Sequence, residues 1–176
     1  MNRVTIMNSI HSENSEPYNA TKLPTVILSH GKESSPTGKK IVALAEVAQK
    51  HGYKTVSPDY RGIDDPDSRV TRLLEVASKL QGGFILVGSS MGSYCSLVAS
   101  QQLQAHGLFL MAPAIGLVGY CHQRPIPDCK RITIIHAWDD EIIPVDSVIS
   151  YAHQHKADLS LVDSDHRLLH SASCQG

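Results

Sequence analysis

Three residues in this chain have the chemistry and the order to attack a carbonyl. Ser90 lies in Gly88-Ser89-Ser90-Met91-Gly92, directly after the apolar run Phe84-Ile85-Leu86-Val87 and before a run containing Ala, Leu and Val. A Gly-x-Ser-x-Gly turn between strand and helix projects its serine hydroxyl clear of the sheet, and the flanking glycines remove side chains that would collide there. An unassisted hydroxyl is a poor nucleophile at neutral pH, so Ser90 requires a base, and the base requires an orienting acid. His166 follows the short apolar run Leu159–Asp163, and Asp139 and Asp140 occupy an acidic loop after Arg131–His136. The implied chemistry is acyl transfer to Ser90. His166 takes the hydroxyl proton and returns it to the leaving group, while a carboxylate on its far nitrogen fixes the tautomer and stabilises the imidazolium. Met91 opens the helix after the nucleophile, so its backbone N–H is the expected donor to the tetrahedral oxyanion.

The elements that must hold these residues alternate along the chain. Strands are expected over Thr25–Ser29, Lys54–Ser57, Phe84–Val87, Gly107–Met111, Arg131–His136 and Leu159–Asp163. Helices are expected over Gly38–His51, Asp67–Leu80 with Pro66 as initiator, Met91–Gln104 and Pro144–His155, with another starting at Arg167. Mostly unbroken Val, Ile and Leu runs between helices predict a mostly parallel sheet of about six strands buried on both faces, an α/β fold. The connection Ala112–Lys130 carries Pro113, Gly116, Gly119, Pro125 and Pro127, which exclude a long helix. It is too short for a folded cap and is the expected wall of a substrate pocket.

Ser29-His30-Gly31, Pro58-Asp59-Tyr60-Arg61-Gly62, Gly88–Gly92, His136–Pro144 and Asp165-His166 together resemble the landmarks of the α/β-hydrolase superfamily, over about residues 24 to 170. Within it the chain is similar to small capless esterases and thioesterases of the YqiA-like and dienelactone-hydrolase-like kind. The serine, aspartate, histidine order is the one expected on such a sheet. The resemblance implies the minimal capless fold and puts Asp140 ahead of its neighbour Asp139 as the acid, because the family's acid stands four residues after His136 and four before Pro144. It also implies a second oxyanion donor in the loop after the first strand, the backbone N–H of Lys32 in His30-Gly31-Lys32. Glu33 stands where many relatives carry another glycine. A carboxylate facing an oxyanion would oppose it, so Glu33 is expected to face solvent.

The rest of the sequence bounds the function. With 176 residues, 41% hydrophobic, and a net charge of -1, the chain reads as one domain over 23–176 behind an N-terminal arm, 1–22, expected to be mobile apart from a short edge strand at Val4–Met7. No basic stripe invites nucleic acid, no apolar run is long enough to span a bilayer, and the first residues lack the apolar core of a secretory signal, so a cytoplasmic location is the expectation. Cys95, Cys121, Cys129 and Cys174 have no CxxC spacing and read as buried or incidental thiols. His166 and His170 are i, i+4, but no HExxH glutamate or third ligand accompanies them, so no metal is expected. Glu33–Lys40 fails as a phosphate loop, because Glu33 replaces the first glycine and Lys40 replaces the Ser/Thr; the chain implies no cofactor. His30 and His136 are expected to brace loops, Asp59 and Arg61 to form a structural turn, Trp138 to pack beside the acid loop, and His153 and His155 to be solvated.

The reading is a serine hydrolase acting on a small-molecule carboxylic ester or thioester; substrate-binding residues and oligomeric state are not legible. The alternative is a catalytically silent hydrolase-fold protein that binds a ligand or a partner protein, motivated by Lys32-Glu33 beside the oxyanion position and by the missing cap.

Overall fold

The computed structural model describes residues 23–168. The expected strand at Val4–Met7, the arm over 1–22, His170, Cys174 and the helix from Arg167 beyond Leu168 lie outside the described residues.

Six strands, β1 (Thr25–Ser29), β2 (Thr55–Val56), β3 (Phe84–Ser89), β4 (Gly107–Met111), β5 (Ile132–Ala137) and β6 (Asp158–Val162), form one sheet in the order β2-β1-β3-β4-β5-β6. Every neighbouring pair is parallel, so the mostly parallel expectation becomes a fully parallel sheet within the described residues. Four helices connect them: α1 (Lys39–Lys50), α2 (Pro66–Ala77), α3 (Met91–Leu103) and α4 (Val145–His155). Pro66 takes the first helical position of α2, where its missing N–H costs nothing, and the Asp65 carboxylate caps that helix by accepting from the Ser68 N–H.

Side-chain alternation along the strands sends apolar residues to two faces. Ile27, Leu86, Leu108 and Ile132 stand opposite one another across β1, β3, β4 and β5 and pack with Leu73, Leu97 and Val148 of α2, α3 and α4. Val26, Leu28, Val87 and Met111 point the other way and pack against Ile41 and Leu44 of α1, joined by Leu168. Because both faces are covered, the strands read as near-continuous apolar runs rather than alternating ones.

The strand order reverses direction at β1: the chain moves outward to β2, then returns to β3 and proceeds through β6. In such a sheet the loops leaving the carboxyl ends of β1 and β3 diverge to opposite faces and open a crevice between them. His30 follows β1 and Ser90 follows β3, so the loop of His30-Gly31-Lys32 and the expected nucleophile border that crevice.

Candidate active site

Ser90 is held with φ 53° and ψ −119°, a left-handed backbone that costs a residue with a Cβ of order 1–3 kcal/mol and persists only when its surroundings enforce it. Those surroundings are close. A Cβ on Gly88 would overlap the backbone of Ser93, and one on Gly92 would overlap the Ser29 carbonyl group. The two glycines therefore let β3, α3 and the end of β1 meet at one point. The Ser90 N–H donates to the Met111 carbonyl (2.9 Å) and the Ser90 carbonyl accepts from the Ser93 N–H (2.9 Å), which clamps the turn from β4 and from α3.

Three side chains from three loops join in one line. Ser90 Oγ and His166 Nε2 are 3.0 Å apart, and His166 Nδ1 lies 2.8 Å from Asp140 Oδ2. The other carboxylate oxygen, Oδ1, accepts from the backbone N–H groups of Ile142 (3.0 Å) and Ile143 (2.8 Å), so Asp140 cannot rotate away. Its side chain is fully buried. Asp139 is exposed and outside this line. The β5 and β6 loops are tied together by Trp138 N–H to Val162 carbonyl (3.0 Å) and Asp139 N–H to Ser164 carbonyl (3.3 Å), which brings the acid and the imidazole into register.

Two further histidines support these loops, as their positions at strand ends predicted. The His30 Nε2 accepts the Tyr60 N–H (3.1 Å), which leaves Nδ1 protonated and donating to the Gly31 carbonyl (2.8 Å). His136 donates from Nε2 to the Ile143 carbonyl (3.1 Å), leaving a bare Nδ1 with no hydrogen-bond partner, 3.7 Å from Asp140 Oδ2. Both imidazoles are buried, and that burial holds their pKa below the ordinary histidine value.

The sequence model of the family described as Uncharacterised protein family (UPF0227) matches residues 25–125, a span that includes β1, the Gly-x-Ser-x-Gly turn and most of the β4–β5 connection. The chain belongs to this family. As a UPF0227 member it is also an α/β hydrolase by relationship: it is 39% identical to a Xanthomonas campestris protein of the α/β-hydrolase superfamily, with a TM-score of 0.75 over 83% of this chain and 90% of that one. The rat mitochondrial palmitoyl-protein thioesterase ABHD10 is 28% identical over 130 residues, 66% of this chain; the chain spans only 44% of that protein's length. A second Xanthomonas campestris structure, a serine hydrolase without a lid, shares the fold at 20% identity with a TM-score of 0.67, over 85% of this chain and 77% of that one.

Above Ser90, the UPF0227 chain opens a cavity of about 540 Å³ lined by His30, Lys32, Ser90, Met91 and His166 among others. Leu117 and Tyr120 from the β4–β5 connection form part of the wall, which is where that proline- and glycine-rich segment was expected to serve. Tyr120 is held by an edge-on contact with Tyr94 at 4.8 Å, and the Tyr94 hydroxyl donates to Asp67 of α2 (2.6 Å). Ile142 adds an exposed apolar edge from the acid loop. Glu33 is exposed at the rim of the same cavity. Lys40 reaches the same cavity from α1; burial lowers its ammonium pKa, and the carboxylates of Asp165 and Asp140 partly restore it. The Met91 N–H stands at the first position of α3, where no intrahelical acceptor exists for it.

Two side chains differ from the sequence expectation, and a third was not anticipated. Trp138 leaves 54% of its surface exposed instead of packing against the acid loop, because the loop turns Asp140 inward and the two residues before it outward. His155 is half-buried, its ring 4.4 Å from that of Tyr151 one helical turn earlier, whereas His153 is exposed. Arg69, to which the sequence assigns no role, is buried, with its guanidinium under the loop that carries Lys32. The available signal was its position on α2, four residues before Leu73 on the apolar stripe.

Proposed function

We propose that the protein is a serine hydrolase that cleaves carboxylic esters or thioesters through an acyl-Ser90 intermediate. The observation that carries this reading is the continuous hydrogen-bond line from Ser90 Oγ through His166 to the buried Asp140 carboxylate, at 3.0 and 2.8 Å. Its members have separate tasks. His166 Nε2 removes the Ser90 proton as Oγ attacks the acyl carbon. The Lys32 and Met91 N–H groups stabilise the oxyanion. The proton then passes from His166 to the leaving alcohol or thiol. A water activated by the same imidazole attacks the acyl-enzyme, and the acid leaves Ser90 free. Asp140 holds the imidazole in the tautomer that presents its lone pair to Ser90.

The partly apolar wall of Leu117, Tyr120 and Ile142 suits an acyl chain, and the similarity to a protein named as a palmitoyl-protein thioesterase favours including thioesters in the substrate class. Turnover of a p-nitrophenyl acyl ester series beside an acyl-CoA series, on wild type and on Ser90→Ala, Asp140→Asn and His166→Ala, tests the proposal. Activity that collapses in all three variants supports it, and the preferred series and length assign the acyl group. Absence of turnover in both series, with no fluorophosphonate adduct, would leave the silent binding protein as the better reading.

A further inference from the structure

Arg69 is the only buried lysine or arginine among the described residues, 1% exposed, and no described carboxylate lies within 4.0 Å of it. Taking a guanidinium out of water without a counter-charge is costly, so its hydrogen bonds have to compensate. All three of them go to backbone carbonyls. Nε donates to Ile63 (2.6 Å), Nη1 to Gly31 (3.2 Å) and Nη2 to Lys32 (3.2 Å). The guanidinium also lies 5.4 Å from the centre of the Tyr60 ring, whose hydroxyl is 2.9 Å from Ser29 Oγ at the end of β1.

The Gly31 carbonyl and the Lys32 N–H belong to one peptide group. That peptide is trans, so the two ends point in opposite directions. The carbonyl end accepts from Arg69 Nη1 and from His30 Nδ1, which uses both of its lone pairs. The N–H end belongs to a residue that lines the cavity, and a Cβ on Gly31 would come within 3.6 Å of Ser90 Cβ. We propose that Arg69 is a positioning residue for the oxyanion hole, gripping from behind the peptide whose N–H faces the reacting oxygen. This inference rests on the serine-hydrolase reading above. The grip does two things. It fixes the direction of a donor on a loop without secondary structure of its own, and the cation polarises the peptide so that its N–H is a stronger donor when negative charge develops opposite it. Because the substrate carbonyl carries little charge before attack, the benefit falls on the transition state and leaves ground-state binding nearly unchanged.

The test compares wild type with Arg69→Met, which keeps the stem and removes the fork, and Arg69→Lys, which keeps the charge. Each is measured for thermal midpoint, for kcat and KM on the best ester, and for inhibition by a trifluoromethyl ketone. In the ketone adduct Ser90 Oγ bonds the carbonyl carbon, the serine proton moves to His166 Nε2, and the former carbonyl oxygen becomes the oxyanion, so its affinity reports the oxyanion hole directly. Loss of one complete oxyanion donor costs on the order of 10²–10³ in kcat. A donor that remains but is no longer held should cost roughly 10- to 100-fold in folded Arg69→Met, with KM within about threefold. Ketone affinity should weaken by the factor lost from kcat/KM, and Arg69→Lys should recover part of it. A folded Arg69→Met with kcat and ketone affinity within about threefold of wild type overturns the proposal and leaves Arg69 as a staple between α2 and the loop. If Arg69→Met does not fold, Arg69→Lys decides by the same comparison, since a mere staple would lower its midpoint without separating kcat from KM. Wild type without Ser90-dependent turnover or ketone binding would instead overturn the hydrolase reading itself.

Discussion

Replacing Asp140 by Asn should remove nearly all activity while leaving the fold in place, and the local geometry says why. An amide at this position keeps its oxygen where Oδ1 accepts the Ile142 and Ile143 N–H groups, because those contacts require an acceptor. The NH₂ then occupies the place of Oδ2, 2.8 Å from His166 Nδ1 and 3.7 Å from the bare Nδ1 of His136. A donor facing His166 Nδ1 favours the tautomer protonated on Nε2, which turns an N–H toward Ser90 Oγ and abolishes the base. Recovering the reactive tautomer costs about 1–2 kcal/mol in a lost hydrogen bond. The imidazolium formed during attack also loses a buried unit charge, worth about 4 kcal/mol at roughly 4 Å and an effective dielectric near 20. Together these raise the barrier by about 5–6 kcal/mol, or about 10⁴-fold in kcat, the size of effect produced by the same exchange in the serine-protease template. The His136 lone pair can receive the new NH₂, so the thermal midpoint should move by only a few degrees. The assay is steady-state hydrolysis of the best p-nitrophenyl ester, with Asp139→Asn as a control expected to stay within about twofold, since that side chain is exposed. Asp140→Asn retaining a tenth or more of wild-type kcat, or a larger loss in Asp139→Asn, would refute this reasoning.

Three other outcomes follow from the packing and the buried imidazoles. Gly92→Ala places a methyl group into the Ser29 carbonyl and should cost about 3 kcal/mol of stability, read as a reduced urea midpoint with an unchanged slope. Leu117→Trp narrows the cavity wall, so the loss in kcat/KM should grow with acyl length and be small for acetyl esters; an equal loss at every length would remove Leu117 from the acyl path. His30 and His136 both have pKa values lowered by burial, so the folded state binds fewer protons than the unfolded one. Their contribution to stability is complete above the unfolded value of about 6.5 and falls as pH drops through that value towards the folded pKa values. Thermal midpoints measured from pH 7.5 to 5 should decline, and the decline should flatten in a His136→Gln variant.

Much of this architecture is legible in the sequence because its signals are local. The Gly88–Gly92 turn follows an apolar strand and precedes a helix, and both glycines prove necessary to the crossing of β3, α3 and β1. Pro66 marks the start of α2 in the sequence, and the structure adds the Asp65 cap beside it. Where the sequence misleads, a non-local contact intervenes. Strand β2 shrinks from the expected Lys54–Ser57 to Thr55–Val56, because as an edge strand it is defined only by the two positions that pair with β1. Gln104 ends α3 in a left-handed conformation without a glycine to announce it. Arg69 is the largest omission: a charged residue in an amphipathic helix reads as solvent-facing, and its three acceptors lie on loops up to 38 residues away in the chain. Likewise, the preference for Asp140 over Asp139 came from a family spacing, since nothing local tells which of two adjacent carboxylates turns inward.

The most direct test of the whole account is the intact mass of the protein after exposure to a fluorophosphonate, for wild type and Ser90→Ala, with hydrolysis followed in the same samples. The expected result is a single phosphonyl adduct on wild type, mapped to the Gly88–Gly92 peptide, loss of ester hydrolysis in step with labelling, and neither adduct nor turnover in Ser90→Ala. An adduct and activity that survive in Ser90→Ala would contradict Ser90 as the nucleophile, and an unlabelled, inactive wild type would contradict the hydrolase mechanism altogether.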